Sequence, residues 1–571
     1  MSWQSQYINQ LPDWSYAGYR AGADIPAAPA PTVTVQCDRT GATDVTLAIQ
    51  QAIVDVAKRG GGTVYLPAGT YRISPQSKAL WPQSAKHFQS EGTNVYSLWI
   101  PASGVVLRGD GPETRLYNAD WHMRGRTVIL VKPDMRDGWA SIWWPIANSA
   151  QSIKADLAPG TTRIPVADGS RFAVGQWVVI NCDLTADFIL RWDMADIWQP
   201  GTFLGDGKTA SQGPTHYAKV RGIEANALMI DVPLMFPMLK RDNVRVYRVL
   251  PHLGEVGIRD LSIGMAECPL AGTGRADHDI NGTGAWHADG SAAIRMEHVV
   301  NSYVANVSTW QPEGNATAYP GTGQYYQTGS HILSNGIQLL NTRSISVQDC
   351  RFERPMYRGG GGNGYLYDIK GAGSLLRRCT AIDGRHNYTF QGIFGMGNVV
   401  TGCTSVQHTG SHCDTHRGLA ACQLWDDMDL DGDAIVMHYG QGQTTTQSCA
   451  WNVRCDRAHW YQQPPYRSNA ICVDSRQIGT GWVIGTSGVV PDVEYLTTDV
   501  AVGHPSAPAD VVEGVGAGAS LEPQSLYAYQ YQRRVGVVTP PTPMTIEQRL
   551  ADCEGRIAAL EIHIAELEAH L

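Results

Sequence analysis

A chain of 571 residues is long enough to bury one large core and carry additions to it. With 61 Gly, 17 Trp and 24 Tyr and few helix-type stretches, it reads as an all-β protein with many turns and aromatic side chains to spare for its surface. A net charge of −9 argues against a nucleic-acid binder or an anionic-membrane binder, both of which need a basic face, but a local Arg cluster can still meet an acidic glycan.

In chain order, MSWQSQYINQLPDW has neither a basic n-region nor an apolar h-region, so no signal peptide is expected here. An extracellular or periplasmic protein whose leader was replaced by a start Met fits this, and so does a phage virion component. No apolar run reaches the roughly 18 residues of a membrane span. Residues 1–35 read as irregular. Val45, Ile49, Ala52, Ile53 and Val56 recur at steps of three and four, a short amphipathic helix. A Gly run, a strand and a turn follow in GGTVYLPAGTY, and GVVLRGDG is a further strand closed by a Gly turn. Helix, GGTVYLPAGTY and GVVLRGDG together resemble the start of the pectate-lyase-like β-helix superfamily. That resemblance implies a right-handed parallel β-helix in which the helix plugs the open end and residues 36–149 hold the cap and first coils. It also implies a carbohydrate-active protein.

Residues 150–250 alternate like a small antiparallel sheet inserted beside the coil, with Phe188, Trp192 and Trp198 as its core or as a sugar-stacking wall. The main β-helix resumes over 251–530. Cys350, Cys379, Cys403, Cys422, Cys449 and Cys472 follow at intervals of 29, 24, 19, 27 and 23 residues, close to the length of one β-helix turn. They are expected to stack as an inward ladder of reduced, inert side chains, since neither disulfide framework nor zinc-finger spacing is present. A Pro-rich linker is expected over 531–544. Over 545–571, Ile546, Leu550, Cys553, Ile557, Leu560, Ile564, Leu567 and Leu571 alternate at steps of four and three, the seam of an oligomerising coiled coil, trimeric or dimeric.

A β-helix fills its interior with ladders, so chemistry must sit on an outer face walled by loops. The long insertion between Val307 and Cys350 holds Trp310, Glu313, Tyr319, Tyr325, Tyr326 and His331. Glu353, Arg354, Asp383, Arg385, His386 and His408 fall just after successive ladder positions and are expected to form one column. His408, His412, Asp414, His416 and Arg417 make the densest ionisable set in the chain. Such a set either braces a turn, ligates a metal through His412, Asp414 and His416, or lines a catalytic groove. Cutting a uronate glycan by β-elimination needs a cation for the carboxylate, a base and an acid. Arg354, Arg358, Arg385 and Arg417 supply the first, and His386, His408, His412, His416, Tyr357 and Tyr388 the others. The expected catalytic set is Arg385, His386, His408, His412, Asp414, His416 and Arg417. Trp310, Glu353, Arg354, Tyr357, Arg358, Asp383, Tyr388 and Asp427 are expected to bind substrate. No metal site is assigned and no cofactor is required; Ca2+ is the one cofactor the resemblance admits. An endo-acting glycoside hydrolase would instead pair carboxylates such as Asp383, Asp414 and Asp427. A non-catalytic glycan-binding fibre or phage tailspike component is the third reading. The expected partner is a polysaccharide, with no nucleic acid and no membrane.

Overall fold

The computed structural model describes residues 2–75, 96–133, 146, 148–195, 198–201, 213–249, 252–315, 329–408, 411–437, 443–457, 471–495 and 509–536. Short β-branched and aromatic runs broken by polar turns pair in parallel, each with the equivalent run one turn earlier and one turn later. Among the described residues the result is one continuous parallel array of 29 strands. Winding this way leaves paired neighbours along the coil, which removes the open edges that invite aggregation.

Each turn visits three sheets. The first includes Ala292–Glu297, Tyr365–Ala372, His386–Phe390, Cys413–Thr415 and Ile435–Met437. The second includes Leu375–Arg377, Val399–Thr401 and Leu424–Asp426, and the third Arg351–Glu353, Thr380–Ile382, Thr404–Val406 and Asp429–Asp431. Between second and third sheets the chain turns at Asn306, Asp349, Arg378, Gly402, Asp427 and Asn452, all with φ between 50° and 58°. Gly, Asn and Asp tolerate that left-handed conformation best, and they fill five of these six corners.

The interior is a stack of ladders. Ile129, Ile294, Ile337, Tyr367, Tyr388, Cys413, Ile435 and Val473 lie in register and are fully buried. The cysteine ladder is shorter than expected. Cys350, Cys379 and Cys403 stack, Thr380 N donating to Cys350 O and Thr404 N to Cys379 O at 2.8 and 2.9 Å. The next rungs, however, are Met428 and Val453. Cys449 pairs with Leu424 on the outer side of the second sheet, and Cys422 packs beneath the inserted sheet near Met235. Cys472 is interior, but it precedes a strand of the first sheet. Their spacing matched the turn length while their phase within the turn did not. None of the described cysteines forms a disulfide.

Helix α1 (Thr46–Lys58) buries Ile49, Ile53 and Val56 against the first strands of the coil. Strands between Gln151 and Arg248 make a six-stranded antiparallel sheet, with helix α2 (Ala186–Arg191) beside it. Phe188 and Trp192 are buried there with Phe236, so they are core and not a sugar-stacking wall. Helix α3 (Gly284–Ala288) sits in a long loop of the coil. Helix α4 (Leu526–Val535), capped by Ser525 and closed by Gly536 at φ 74°, occupies the start of the stretch expected as linker. Residues 545–571 and the expected coiled coil lie outside the described residues.

One packing decision positions the site. Ile8, Leu11, Trp14 and Ala17 join the inserted sheet and α4 to cover Leu375, Val399, Leu424 and Cys449, the outward side chains of the second sheet. Trp14 Nε1 donates to Cys422 O at 2.7 Å and Gly18 N to Gly373 O at 2.8 Å, so part of the segment expected as irregular is bound to the coil. That face is closed. The outward side chains of the third sheet are exposed or half-buried, whereas those of the first sheet are mostly buried and approach solvent near His412 and His416, where the loops that feed that sheet end.

Candidate functional site

The outward column of the first sheet is polar from turn to turn: Arg295, Gln338, Asp368, Thr389 and Asp414 lie in register. Arg295 Nη2 donates to Gln338 Oε1 at 2.7 Å, and Gln338 Nε2 donates to Asp368 Oδ2 at 3.1 Å. Asp368 also receives Gln391 Nε2 at 2.6 Å and faces Lys370 at 3.0 Å. A hydrophobic ladder would stabilise the coil equally well here, so the polar residues are not needed for winding.

At Asp414 the column meets the histidines. His416 Nδ1 donates to Asp414 Oδ2 at 2.8 Å, and Tyr365 Oη donates to His416 Nε2 at 3.1 Å. The carboxylate fixes the imidazole tautomer, because it can only accept. His386 Nδ1 donates to the His412 carbonyl at 2.9 Å and lies 3.4 Å from Asp414 Oδ1; His412 Nε2 lies 3.9 Å from Asp414 Oδ2. The rings of His386 and Tyr365 meet edge to face with centroids 4.8 Å apart, and Arg385 lies over Tyr365 at 5.9 Å. Side-chain exposure rises outward: 4 % for His386, 6 % for Asp414, 12 % for His412 and 18 % for His416. A substrate therefore meets His416 and His412 first.

Burial dominates the electrostatics. It drives His386 down to about 3, Asp414 offsetting only part of the effect, so this ring is neutral at pH 7. Burial alone would raise the Asp414 carboxyl, but His386, His416 and His412 around it outweigh that and the net shift is downward. Burial pushes the Tyr365 phenol up, which keeps its proton in place at neutral pH. His386, His412 and Asp414 each offer a ligand atom within 4.8 Å of the other two.

The structure brings His386, His412, Asp414, His416 and Arg385 together, and Arg417 is exposed one residue beyond His416. Asp383 forms the rim: it accepts from His408 N at 2.9 Å and from His408 Nδ1 at 3.0 Å, with His408 58 % exposed. Arg354 occupies the same corner one turn earlier, its N donating to Ile382 O as Asp383 N does to Val406 O. The third residue of that column is Gln407 and not His408, a slip of one position.

Several expected ligands serve the fold instead. Tyr388 is interior, stacked on Tyr367 at 4.8 Å, with its hydroxyl donating to Cys379 O at 2.8 Å. Tyr357 is fully buried and its hydroxyl ties down Arg275 O at 2.9 Å. Arg358, brought down to about 10 by burial, braces the Asp383 carbonyl at 3.0 Å. Glu353 turns to Arg351 at 3.1 Å and His331 at 3.6 Å. Trp310 packs at the third sheet under Arg115, 5.5 Å from its ring. Asp427 sits at the corner between second and third sheets, away from Asp414 on the first. Its acidic neighbours also disperse: Asp426 lies beneath α4, Asp431 pairs with Arg457 at 2.6 Å, and Asp433 is interior, accepting from Ser405 Oγ at 2.5 Å. Glu313 is exposed, and Tyr319, Tyr325 and Tyr326 lie outside the described residues.

Sequence reasoning missed Tyr365 and a second group further along the same wall. His122 Nδ1 and His287 Nδ1 are 3.3 Å apart, with Trp121 3.7 Å from His122 and Trp286 4.9 Å from His287, ring to ring. Arg124 lies over Trp286 at 4.9 Å and pairs with Asp289 at 3.0 Å, which in turn accepts from Asn363 at 2.7 Å. Arg385 Nη1 reaches Gly359 O at 2.7 Å. The loops leading from third sheet to first thus hold one another in a continuous wall from His122 to His412. The signal was available: His122 and His287 each follow a Trp directly, in stretches with no ladder periodicity.

Residues 34–155 match the family model described as "Rhamnogalacturonase A/epimerase, pectate lyase-like". That span contains both motifs that carried the resemblance, and the resemblance to the pectate-lyase-like superfamily is borne out there. Among solved structures, the chain is similar to the tailspike gp61 of Pseudomonas phage phi297 at 12% identity and a TM-score of 0.30, covering 80% of this chain and 76% of that one. It is similar to the Gp54 tailspike of Acinetobacter baumannii bacteriophage AP22, solved with a capsular saccharide, at 10% identity and a TM-score of 0.31, covering 81% and 76%. It is also similar to the A-module of the Azotobacter vinelandii mannuronan C-5 epimerase AlgE6, at 11% identity and a TM-score of 0.27, covering 84% and 97%. No curated protein matches the sequence.

Proposed function

We propose that the protein binds a long acidic polysaccharide along the wall of its first sheet and cleaves it by β-elimination. The observation that carries this reading is the chain Tyr365 Oη, His416 Nε2, His416 Nδ1, Asp414 Oδ2, at 3.1 and 2.8 Å, with Arg385 beside it. Asp414 holds the proton of His416 on Nδ1, so Nε2 keeps its lone pair, engaged by the Tyr365 hydroxyl, and can serve as the general base when that hydroxyl turns to the substrate. Tyr365, held protonated by burial, is the acid for the leaving oxygen. Arg385, with Arg417 exposed nearby, offsets the uronate carboxylate and so acidifies the α-proton. In the step, His416 takes that proton, the electron pair forms the C=C bond, the glycosidic C–O bond breaks and Tyr365 protonates the departing oxygen.

Hydrolysis by paired carboxylates is less well supported: of the three Asp considered for it, Asp427 lies at a different corner and Asp383 is engaged by His408. We propose that the protein works where such glycans are met, outside the cytoplasm or on a phage virion. The test is a panel of acidic and neutral glycans, with new unsaturated ends followed by ultraviolet absorbance and total new reducing ends measured in parallel. Equal rates in the two channels, falling about 100-fold or more in Tyr365→Phe, support elimination. Reducing ends without absorbance mean hydrolysis, and no ends from any glycan favour a binding fibre.

A further inference from the structure

We propose that His386, His412 and Asp414 hold a divalent transition-metal ion of the zinc type. Their ligand atoms already lie within 4.8 Å of one another, and binding would draw them to roughly 3.3 Å, the separation of two ligands about 2.0–2.1 Å from a tetrahedral ion. Two buried atoms of the group lack hydrogen-bond partners, His386 Nε2 and Asp414 Oδ1. Both belong to side chains more than nine-tenths buried. Buried polar atoms are normally satisfied, and an orphaned acceptor beside a second one calls for a cation.

The surrounding bonds are those that metal ligands need. A carbonyl can only accept, so His386 must donate through Nδ1 to His412 O, and its Nε2 carries the lone pair. Asp414 Oδ1 accepts no hydrogen bond and has His386 Nδ1 3.4 Å away, while Oδ2 receives His416, which places His416 in the outer sphere as an orienting group. Two imidazoles and one carboxylate suit zinc, cobalt or iron; Ca2+ and Mg2+ prefer oxygen ligands throughout. With three protein ligands a position is left for water or a glycan oxygen. The inference revises the absence of a metal site expected from the sequence, and it stands whether or not a glycan is cut.

The experiment uses the full chain after dialysis against a chelator. Co2+ is titrated in while visible absorption is recorded, and Zn2+ binding is followed by calorimetry. One equivalent giving d–d bands is expected, with the bands and the calorimetric signal lost in Asp414→Asn and in His412→Gln. The latter lies on a partly exposed loop and serves if Asp414→Asn melts early. His416→Gln should weaken binding about 10–100-fold without abolishing it. His122→Gln should leave the titration unchanged, excluding the pair it forms with His287. No bands in the wild-type protein, or the wild-type titration in both ligand variants, overturns the proposal. Loss of glycan cleavage with Co2+ binding intact would count only against the lyase reading.

Discussion

Trp425 is fully buried, with its ring centroid 4.7 Å from that of Phe390, and it stacks in register between Val400 and Ala450. A ladder position of this kind contacts the turns above and below, which are held at the strand spacing and cannot collapse inward. Trp425→Ala should therefore leave most of its cavity open and cost about 3–5 kcal/mol, read as a lower denaturation midpoint. An unchanged midpoint would mean that the interior is not packed as described. The same scale shows why residue-level reading from sequence was uneven. Turn length is visible in spacing, but whether a side chain points in or out depends on where each strand begins. Cys350, Cys379 and Cys403 share a phase, whereas Cys449, two turns beyond Cys403, belongs to the second sheet's outer side. Tyr388 was misassigned for the same reason: the corner at Asp383 to Arg385 puts Tyr388 inside although His386, two residues earlier, faces the groove.

At the scale of elements, the start of α4 is tied to the coil by a buried carboxylate from another part of the chain. Asp426 accepts Leu526 N at 2.8 Å and Ser525 Oγ at 2.6 Å, so it caps the helix from another part of the chain. Its position is fully buried, and burial, opposed by those hydrogen bonds, leaves it raised to about 6. An unfolded Asp titrates near about 3.9. Between those values the folded state binds more protons, so stability falls as pH rises through that window, by up to about 3 kcal/mol. Hydrogen-exchange protection of Leu526–Val535 should accordingly be higher at pH 5 than at pH 8. Asp426→Asn, which keeps an acceptor for Leu526 N, should flatten the difference, and a difference that survives it would place the titrating group elsewhere. The end of the helix had a local signal, Arg533 and Arg534 followed by Gly536 ahead of the Pro-rich stretch, but its anchoring to the coil did not. Asp426, which receives its first N–H, lies a hundred residues away, and contacts of that range have no local signature.

At the scale of the molecule, the coil turns distant loops into neighbours along one wall. The loop at His122 and the loop at His412 are separated by the first-sheet strands that begin at Thr127, Ala292, Asn335, Tyr365, His386 and Cys413. Five strand spacings of about 4.8 Å make roughly 24 Å. Trp121 and Trp286 stand at the far end of that wall from His416, too distant to touch a bond being broken near His416 but able to hold the same chain. The period of the coil and the charged set near residue 412 were legible in the sequence. The Trp-His pairs were not linked to that set, because only the stacking of the loops brings them onto one face. If one glycan spans both ends, Trp121→Ala and Trp286→Ala should raise KM for long chains about 5- to 30-fold, from about 1–2 kcal/mol of lost ring contact each, with kcat little changed. Short oligomers that reach only His416 should react alike with wild type and variants. Equal losses on short and long chains would instead mean that the tryptophans act on the fold, since a wall that reads length cannot affect a substrate too short to reach it.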